Sequence, residues 1–183
     1  MYQTKIKHVV RLLVVLAAIG FGLQLLSVAK ASDGPELPAQ CSSLSIPDGN
    51  KLTFHVYARG VQIYKWNGGA WDFVAPVASL FAEQNYFGEV GNHYIGPTWE
   101  SKSGSKVVGK RVTGTGCTPD PSAIAWLLLE KVTTTDPGIF SSVTYIQRVN
   151  TTGGIAPAAA GSTVGEMQEV PYTAEYYFYR GQN

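Results

Sequence analysis

Residues 52–76 read LTFHVYARGVQIYKWNGGAWDFVAP. Leu52, Phe54, Val56 and Ala58 alternate with Thr53, His55 and Tyr57, and a period of two places the two sets on opposite faces of a half-buried strand. Arg59-Gly60 offers a turn. VQIYKW resumes the alternation, with Val61 and Ile63 opposing Gln62, Tyr64 and Trp66. Asn67-Gly68-Gly69 is a strong hairpin signal, since Asn and Gly accept positive φ. AWDFVAP returns from it, and Pro76 ends or bends the returning strand because proline donates no ladder hydrogen bond.

The same texture continues downstream. HYIGPTWE (93–100) and SKVVGKRVTG (105–114) are joined by the hairpin-length loop Ser101–Gly104. Gly96-Pro97 inside the first would break a central ladder, so an edge position or a bulge is expected there. SVTYIQRVN (142–150) and EVPYTAEYYFY (169–179) add two strands rich in β-branched and aromatic residues. AIAWLLLEKVTTT (123–135) reads as a brief turn at 120–124 followed by a buried, central strand. GGIAPAAAGSTVGE (153–166) is a loop of small residues. No helical stripe is sustained anywhere. The expectation is all-β: a single antiparallel β-sandwich or small β-barrel of about eight to ten short strands over residues 51–183. Residues 32–50, SDGPELPAQCSSLSIPDGN, form an extended arm before it.

The chain's first 31 residues do not belong to that fold. Lys5, Lys7 and Arg11 precede an apolar run from Leu12 to Val28, and Ala29-Lys30-Ala31 is an A-x-A pattern. This order reads as a cleaved signal peptide over 1–31 and places the protein in a secreted or periplasmic compartment. If the segment is kept, it is the one contact with a membrane. Removing it takes away four basic residues and no acidic ones, so the formal charge moves from +1 to −3. A mildly acidic domain lacks the basic patch that nucleic acid requires. At 183 residues the chain is also too short for a TIM barrel. Its aromatic content of 11% excludes disorder. Cys41 and Cys117 are the two cysteines, and in an oxidising compartment one disulfide between arm and domain is reasonable. Together with His55 and His93 they give no zinc-type spacing, and neither a metal nor a cofactor is expected.

Seven fragments taken together are distinctive: FHVYARGVQIYKW, WDFVAPVASLF, HYIGPTWES, SKVVGKRV, IAWLLL, VTYIQRVNTTGG and VPYTAEYYFY. In this order and spacing they resemble the secreted family catalogued as domain of unknown function 3455, from about Leu44 to Tyr179. The resemblance implies a secreted, mostly β domain. It implies no established activity, substrate or catalytic residue. Some fungal members carry a malate-dehydrogenase label, but this chain has neither a G-x-G-x-x-G after a strand nor βαβ alternation. The family's cysteine pattern does not match here, so a Cys41–Cys117 bond is this chain's own.

Candidate ligand-binding residues follow from the aromatic surplus and the few polar groups inside strands. His93-Tyr94 and Trp99-Glu100 flank Gly96-Pro97, where a bulge would aim them into a cleft. His55 and Tyr57 share a face of the first strand. Gln147 and Arg148 sit mid-strand, so one of them points inward, and an inward Arg148 needs a partner. Glu100 and Glu130 are the plausible carboxylates, making a structural ion pair the expectation over an anion site. Tyr172, Tyr176 and Phe178 share one face of the last strand, and Glu175, Tyr177 and Tyr179 the other. Asn150-Thr151-Thr152 is a glycosylation acceptor pattern in a eukaryotic secretory host.

Three functions suit this inventory. The first is a non-catalytic, exported module that binds a small molecule or carbohydrate, or an envelope component. Replacing Trp99 or His93 is then expected to remove ligand retention and leave the fold intact. The second is a hydrolase or isomerase in which His93, Glu100 and Arg148 converge on one cavity. The third is a structural or stress-related surface protein that self-associates through outward tyrosines. No G-x-S-x-G motif supports a nucleophilic triad, so the balance leans away from catalysis. The oligomeric state is not set by any of these features.

Overall fold

A computed structural model of the chain describes residues 34–135 and 137–182. The signal segment expected at 1–31 lies outside the described residues. Eight antiparallel strands run in chain order and close into a barrel, the last pairing with the first. They are β1 (Asn50–Trp66), β2 (Trp71–Phe81), β3 (Glu89–Tyr94), β4 (Thr98–Ser101), β5 (Lys106–Arg111), β6 (Leu127–Thr135), β7 (Val143–Gly153) and β8 (Met167–Gly181). Of the two architectures the alternation allowed, the chain adopts the barrel. Closure removes both sheet edges, which otherwise present unpaired N–H and C=O groups.

β1 is a single strand of 17 residues, and Arg59-Gly60 is not a turn within it. Gly60 lies tight against β2: a Cβ built on it would sit 2.1 Å from the Val77 carbonyl oxygen. The missing side chain lets a long strand curl without breaking its ladder. Arg59 turns outward and lays its guanidinium over the Tyr86 ring, 4.5 Å from its centre. The β1–β2 hairpin closes at Asn67, whose Oδ1 accepts from the Gly69 and Ala70 N–H groups, with Gly68 at φ 102°. Pro76 does not end β2. It lies two residues past a bulge at Val74, where Ile63 faces Ala75 and Tyr64 faces Phe73.

The stretch HYIGPTWE is a hairpin rather than one strand. Tyr94 pairs with Thr98, Ile95-Gly96-Pro97 is the turn, and Gly96 takes φ 92°. A glycine at positive φ next to a proline favours a turn over a bulged strand. β6 is not a buried central strand either. Leu128 and Leu129 are buried, but Lys131, Val132 and Thr133 are exposed. A closed barrel has no central strand, so each strand has one face inside and one outside.

Two apolar clusters result. The interior holds Val56, Ala58, Leu80, Trp99, Ile146 and Phe178, among others. The second lies on the outer wall, where Cys41 and Leu44 cover Trp126, Leu128 and Val149. A 3-10 helix over Ala39–Leu44 carries the arm across this wall, and the Cys41–Cys117 disulfide fastens it there. Gln147 is the outward member of the Gln147/Arg148 pair. It is buried by the arm, donating to the Leu44 carbonyl at 2.7 Å and accepting from the Tyr179 hydroxyl. Tyr179 is thus an outward tyrosine that the arm covers.

Candidate functional site

The hairpin geometry decides where the barrel opens. β2 pairs with β3 only from Ala78 to Phe81, while its first half stays with β1. The unpaired half of β2 and the Ile95–Pro97 turn therefore stand apart. Between them lies the mouth of a cavity of about 440 Å³ that reaches the barrel interior. Phe73, Val74 and Pro76 line one side of it, and Gly96 and Pro97 another. Ile124, Leu127 and Leu129 add an apolar wall, and Trp99 and Tyr176 bound it from the core.

The small-residue loop after β7 also belongs to the mouth. Ile155 and Ala156 line it. The loop is held in place by aromatic groups of the β1–β2 hairpin. Tyr64 Oη donates to the Gly154 carbonyl at 2.6 Å, and Trp71 Nε1 donates to the Ala159 carbonyl at 2.8 Å. Gly161 packs against the Trp66 ring, where a Cβ would come within 2.5 Å of it.

His93 and Trp99 both point inward and stack, with ring centres 4.4 Å apart. Only 3% of His93 is exposed. Its Nδ1 lies 2.8 Å from the Thr98 carbonyl oxygen, which can only accept, so Nδ1 carries the proton. Burial holds the imidazole neutral and drives its pKa down to about 3, with the Thr98 hydrogen bond opposing and the Arg148 charge assisting. The unfolded histidine takes up its proton near pH 6.5. Between that pH and 3 the unfolded state binds the extra proton, so the contribution is complete above pH 6.5 and is lost as the pH falls. From pH 6.5 to 5 the protein is expected to lose about 2 kcal/mol on this account, seen as a lower urea midpoint. A His93→Gln variant removes that slope; the same slope in the variant would assign the loss to other groups.

Tyr94 and Glu100, the chain neighbours of His93 and Trp99, face outward. Tyr94 Oη donates to Glu100 Oε2 at 2.7 Å, and Lys106 Nζ lies 3.3 Å from the same oxygen. The Tyr94 hydrogen bond, followed by Lys106, holds the Glu100 carboxyl below the usual range. The barrel wall thus separates Glu100 from His93. His55 and Tyr57 are outward as well, with His55 Nε2 3.1 Å from Tyr57 Oη and its ring stacked on Tyr177 at 4.8 Å. Tyr177 donates to Glu175 at 2.8 Å, and burial followed by that bond pushes its phenol pKa up. Asn150 Nδ2 donates to the other Glu175 oxygen.

Arg148 is the inward member of its pair and lines the cavity. Among the described residues it has no carboxylate partner. Glu100 pairs with Lys106 and Glu130 with Lys110, both outside. Arg148 is instead anchored by Nε and Nη2, which donate to the Ala125 carbonyl at 3.1 and 2.8 Å. Of the residues singled out from the sequence, the cavity therefore gathers His93, Trp99 and Arg148 and leaves out Tyr94, Glu100, His55 and Tyr57. Gln62 and Tyr64 were not singled out. Their signal was present, since a glutamine and a tyrosine share the face of β1 that continues Phe54, Val56 and Ala58. Among the described residues no group of three or more His, Cys, Asp or Glu could hold a metal ion.

A closed eight-stranded barrel with an apolar, open-mouthed cavity is the class that this geometry defines. Residues 47–180 match the model of the family described as protein of unknown function DUF3455, and the chain belongs to that family. No curated protein and no solved structure matches it.

Proposed function

We propose that the protein is an exported, non-catalytic binding barrel that holds one small, largely apolar molecule in the cavity between β2, the β3–β4 turn and the β7–β8 loop. The observation that carries this is the cavity itself. Its volume of about 440 Å³ falls within the range of ligand sites, and an eight-stranded barrel has room inside for its own side chains or for one small ligand. An apolar lining of Phe73, Ile124, Leu127 and Leu129 suits a hydrocarbon or terpenoid surface better than a sugar, whose hydroxyls need dense pairing.

The groups available for catalysis favour binding over turnover. A general base works best with a pKa near the working pH, whereas that of His93 lies far below it. Glu100 faces away from the cavity and is already bound by Tyr94 and Lys106. Export rests on the basic start, the apolar run and the A-x-A pattern of residues 1–31. The Cys41–Cys117 disulfide agrees with an oxidising compartment.

N-phenyl-1-naphthylamine, a neutral probe that brightens in apolar surroundings, tests the reading. Saturable brightening by Ser32–Asn183 is expected. Leu127→Trp, which puts a bulky indole in place of the isobutyl group in the cavity wall, is expected to abolish it while the far-ultraviolet spectrum stays unchanged. Equal brightening by the variant, or none by the parent protein, rejects the cavity as the binding site.

A further inference from the structure

Resting on the reading of the barrel as a binding protein, we infer that its ligand carries an anionic head, a carboxylate, seated on Arg148 with the apolar body running toward the mouth. Arg148 projects from β7, between its register partners Leu127 on β6 and Tyr176 on β8. Two of its five N–H donors go to the Ala125 carbonyl, which fixes the plane of the guanidinium, and the others are left toward the Tyr176 hydroxyl and the cavity. Among the described residues its charge has no ion-pair partner, and no Asp or Glu lines the cavity. A partly buried, uncompensated cation is costly, and an anion brought in by a ligand removes that cost.

A second, independent observation points the same way. The buried atoms Gln62 Nε2, Trp99 Nε1, Tyr172 Oη and Tyr176 Oη make no hydrogen bond of ordinary geometry. Tyr172 lies beside Gln62 and Tyr176, and Tyr176 beside Arg148, so the least satisfied donor is Trp99 Nε1, and Gln62, Trp99 and Tyr176 line the cavity. Each of these residues is at least 97% buried. The first two atoms only donate, and the phenols can donate. Native proteins rarely leave such groups unpaired, so a cluster of them beside a cavity is a site missing its acceptor. Donors and a cation with no nearby carboxylate select a carboxylate oxygen over an amine or ammonium head. The wall beyond them is apolar, which selects a hydrocarbon tail. At about 30 Å³ for each water-sized portion, the cavity holds roughly fifteen such portions, which suits a chain of about ten carbons.

The test displaces N-phenyl-1-naphthylamine with decanoate, 1-decanol and acetate near neutral pH. Decanoate is expected to displace it about tenfold or more better than decanol, which has the same tail and no charge. Acetate, the head without the tail, is expected to fail. In Arg148→Met, the preference for decanoate over decanol is expected to be lost. Equal displacement by decanoate and decanol in the parent protein overturns the anionic head and leaves the apolar cavity standing. Displacement by neither, with the probe bound elsewhere, overturns both. The parent-protein comparison decides the matter even where the variant does not fold.

Discussion

Replacing Trp99 by alanine is expected to cost about 3–5 kcal/mol and to lower the melting temperature by about 10 °C or more. Trp99 is 1% exposed at the centre of the barrel interior. Its ring stacks on His93 and meets Tyr176 and Phe178 edge-on, at 5.2 and 6.0 Å. The adjoining strand β5 makes room for it with Gly109, where a Cβ would already come within 3.2 Å of the indole. Three aromatic neighbours packed on a closed wall have little freedom to collapse into the space left behind, so both the lost transfer energy and the cavity term apply. The indole N–H has no hydrogen-bond partner in the folded barrel, so the loss is one of packing. Trp99→Phe keeps a stacked ring and is expected to recover more than half of the loss. Urea unfolding of the three proteins measures it, and an alanine variant within about 1 kcal/mol of the parent would show an interior far softer than this packing implies. The burial also revises what a binding defect in Trp99→Ala means. Loss of ligand there reports a damaged core before it reports a lost contact, and Leu127 and Arg148 are the cleaner positions to probe.

What could be read from the chain follows the length of each local pattern. The alternation at 54–58, the Asn67-Gly68-Gly69 turn, and the split of Tyr172, Tyr176 and Phe178 from Tyr177 and Tyr179 appear in the barrel as written, whereas a bulge between Leu52 and Phe54 puts Leu52 opposite the outward Tyr179 rather than on the Phe54 face. Each pattern is either long or tied to a backbone conformation that few residues accept. The β3–β4 hairpin was hidden because its strands are six and four residues long, too short for alternation to show against a Gly-Pro pair. That misreading put His93 with Tyr94 and Trp99 with Glu100 as if neighbours in sequence shared a face, although successive residues in a strand cannot. The ion pair expected for Arg148 failed for a different reason. Glu100 and Glu130 each sit opposite a lysine on the adjoining strand, Lys106 and Lys110, and those outer-face pairs depend on a register that one chain read in isolation does not set. The cavity's far lip, Ile155 and Ala156, lies in a loop of small residues with no pattern, held in part by residues distant in sequence such as Tyr64 and Trp71.

Opening the Cys41–Cys117 bond, by a reductant or by a Cys41→Ser/Cys117→Ser double substitution, is expected to lower the unfolding free energy by about 4 kcal/mol. The bond closes a loop of sequence separation 76, and chain-entropy arguments for a loop of that length give a figure of this size. The loss has a place as well as a magnitude. The arm makes few contacts other than the outer cluster, where Leu37, Leu44 and Ile46 lie over Trp126, Leu128 and Val149. Barrel closure is independent of it, since the β1–β8 ladder runs from Asn50 to Lys65 on one side and from Gly181 to Met167 on the other. A reduced protein is therefore expected to be cleaved first before Asn50 by a protease, while the barrel persists. Gln147 would then lose its Leu44 partner, and Leu128 and Val149 their cover, so the exposed wall should bind apolar dyes and self-associate. The cavity lies on the inner side of the same wall, and its lining includes no residue of the arm. Displacement of N-phenyl-1-naphthylamine by decanoate should survive reduction at a temperature where the barrel is still folded. An arm that resists protease after reduction, with an unchanged urea midpoint, would mean that its apolar contacts alone hold it. Loss of cavity binding together with the arm would instead tie the two faces of the wall into one cooperative unit.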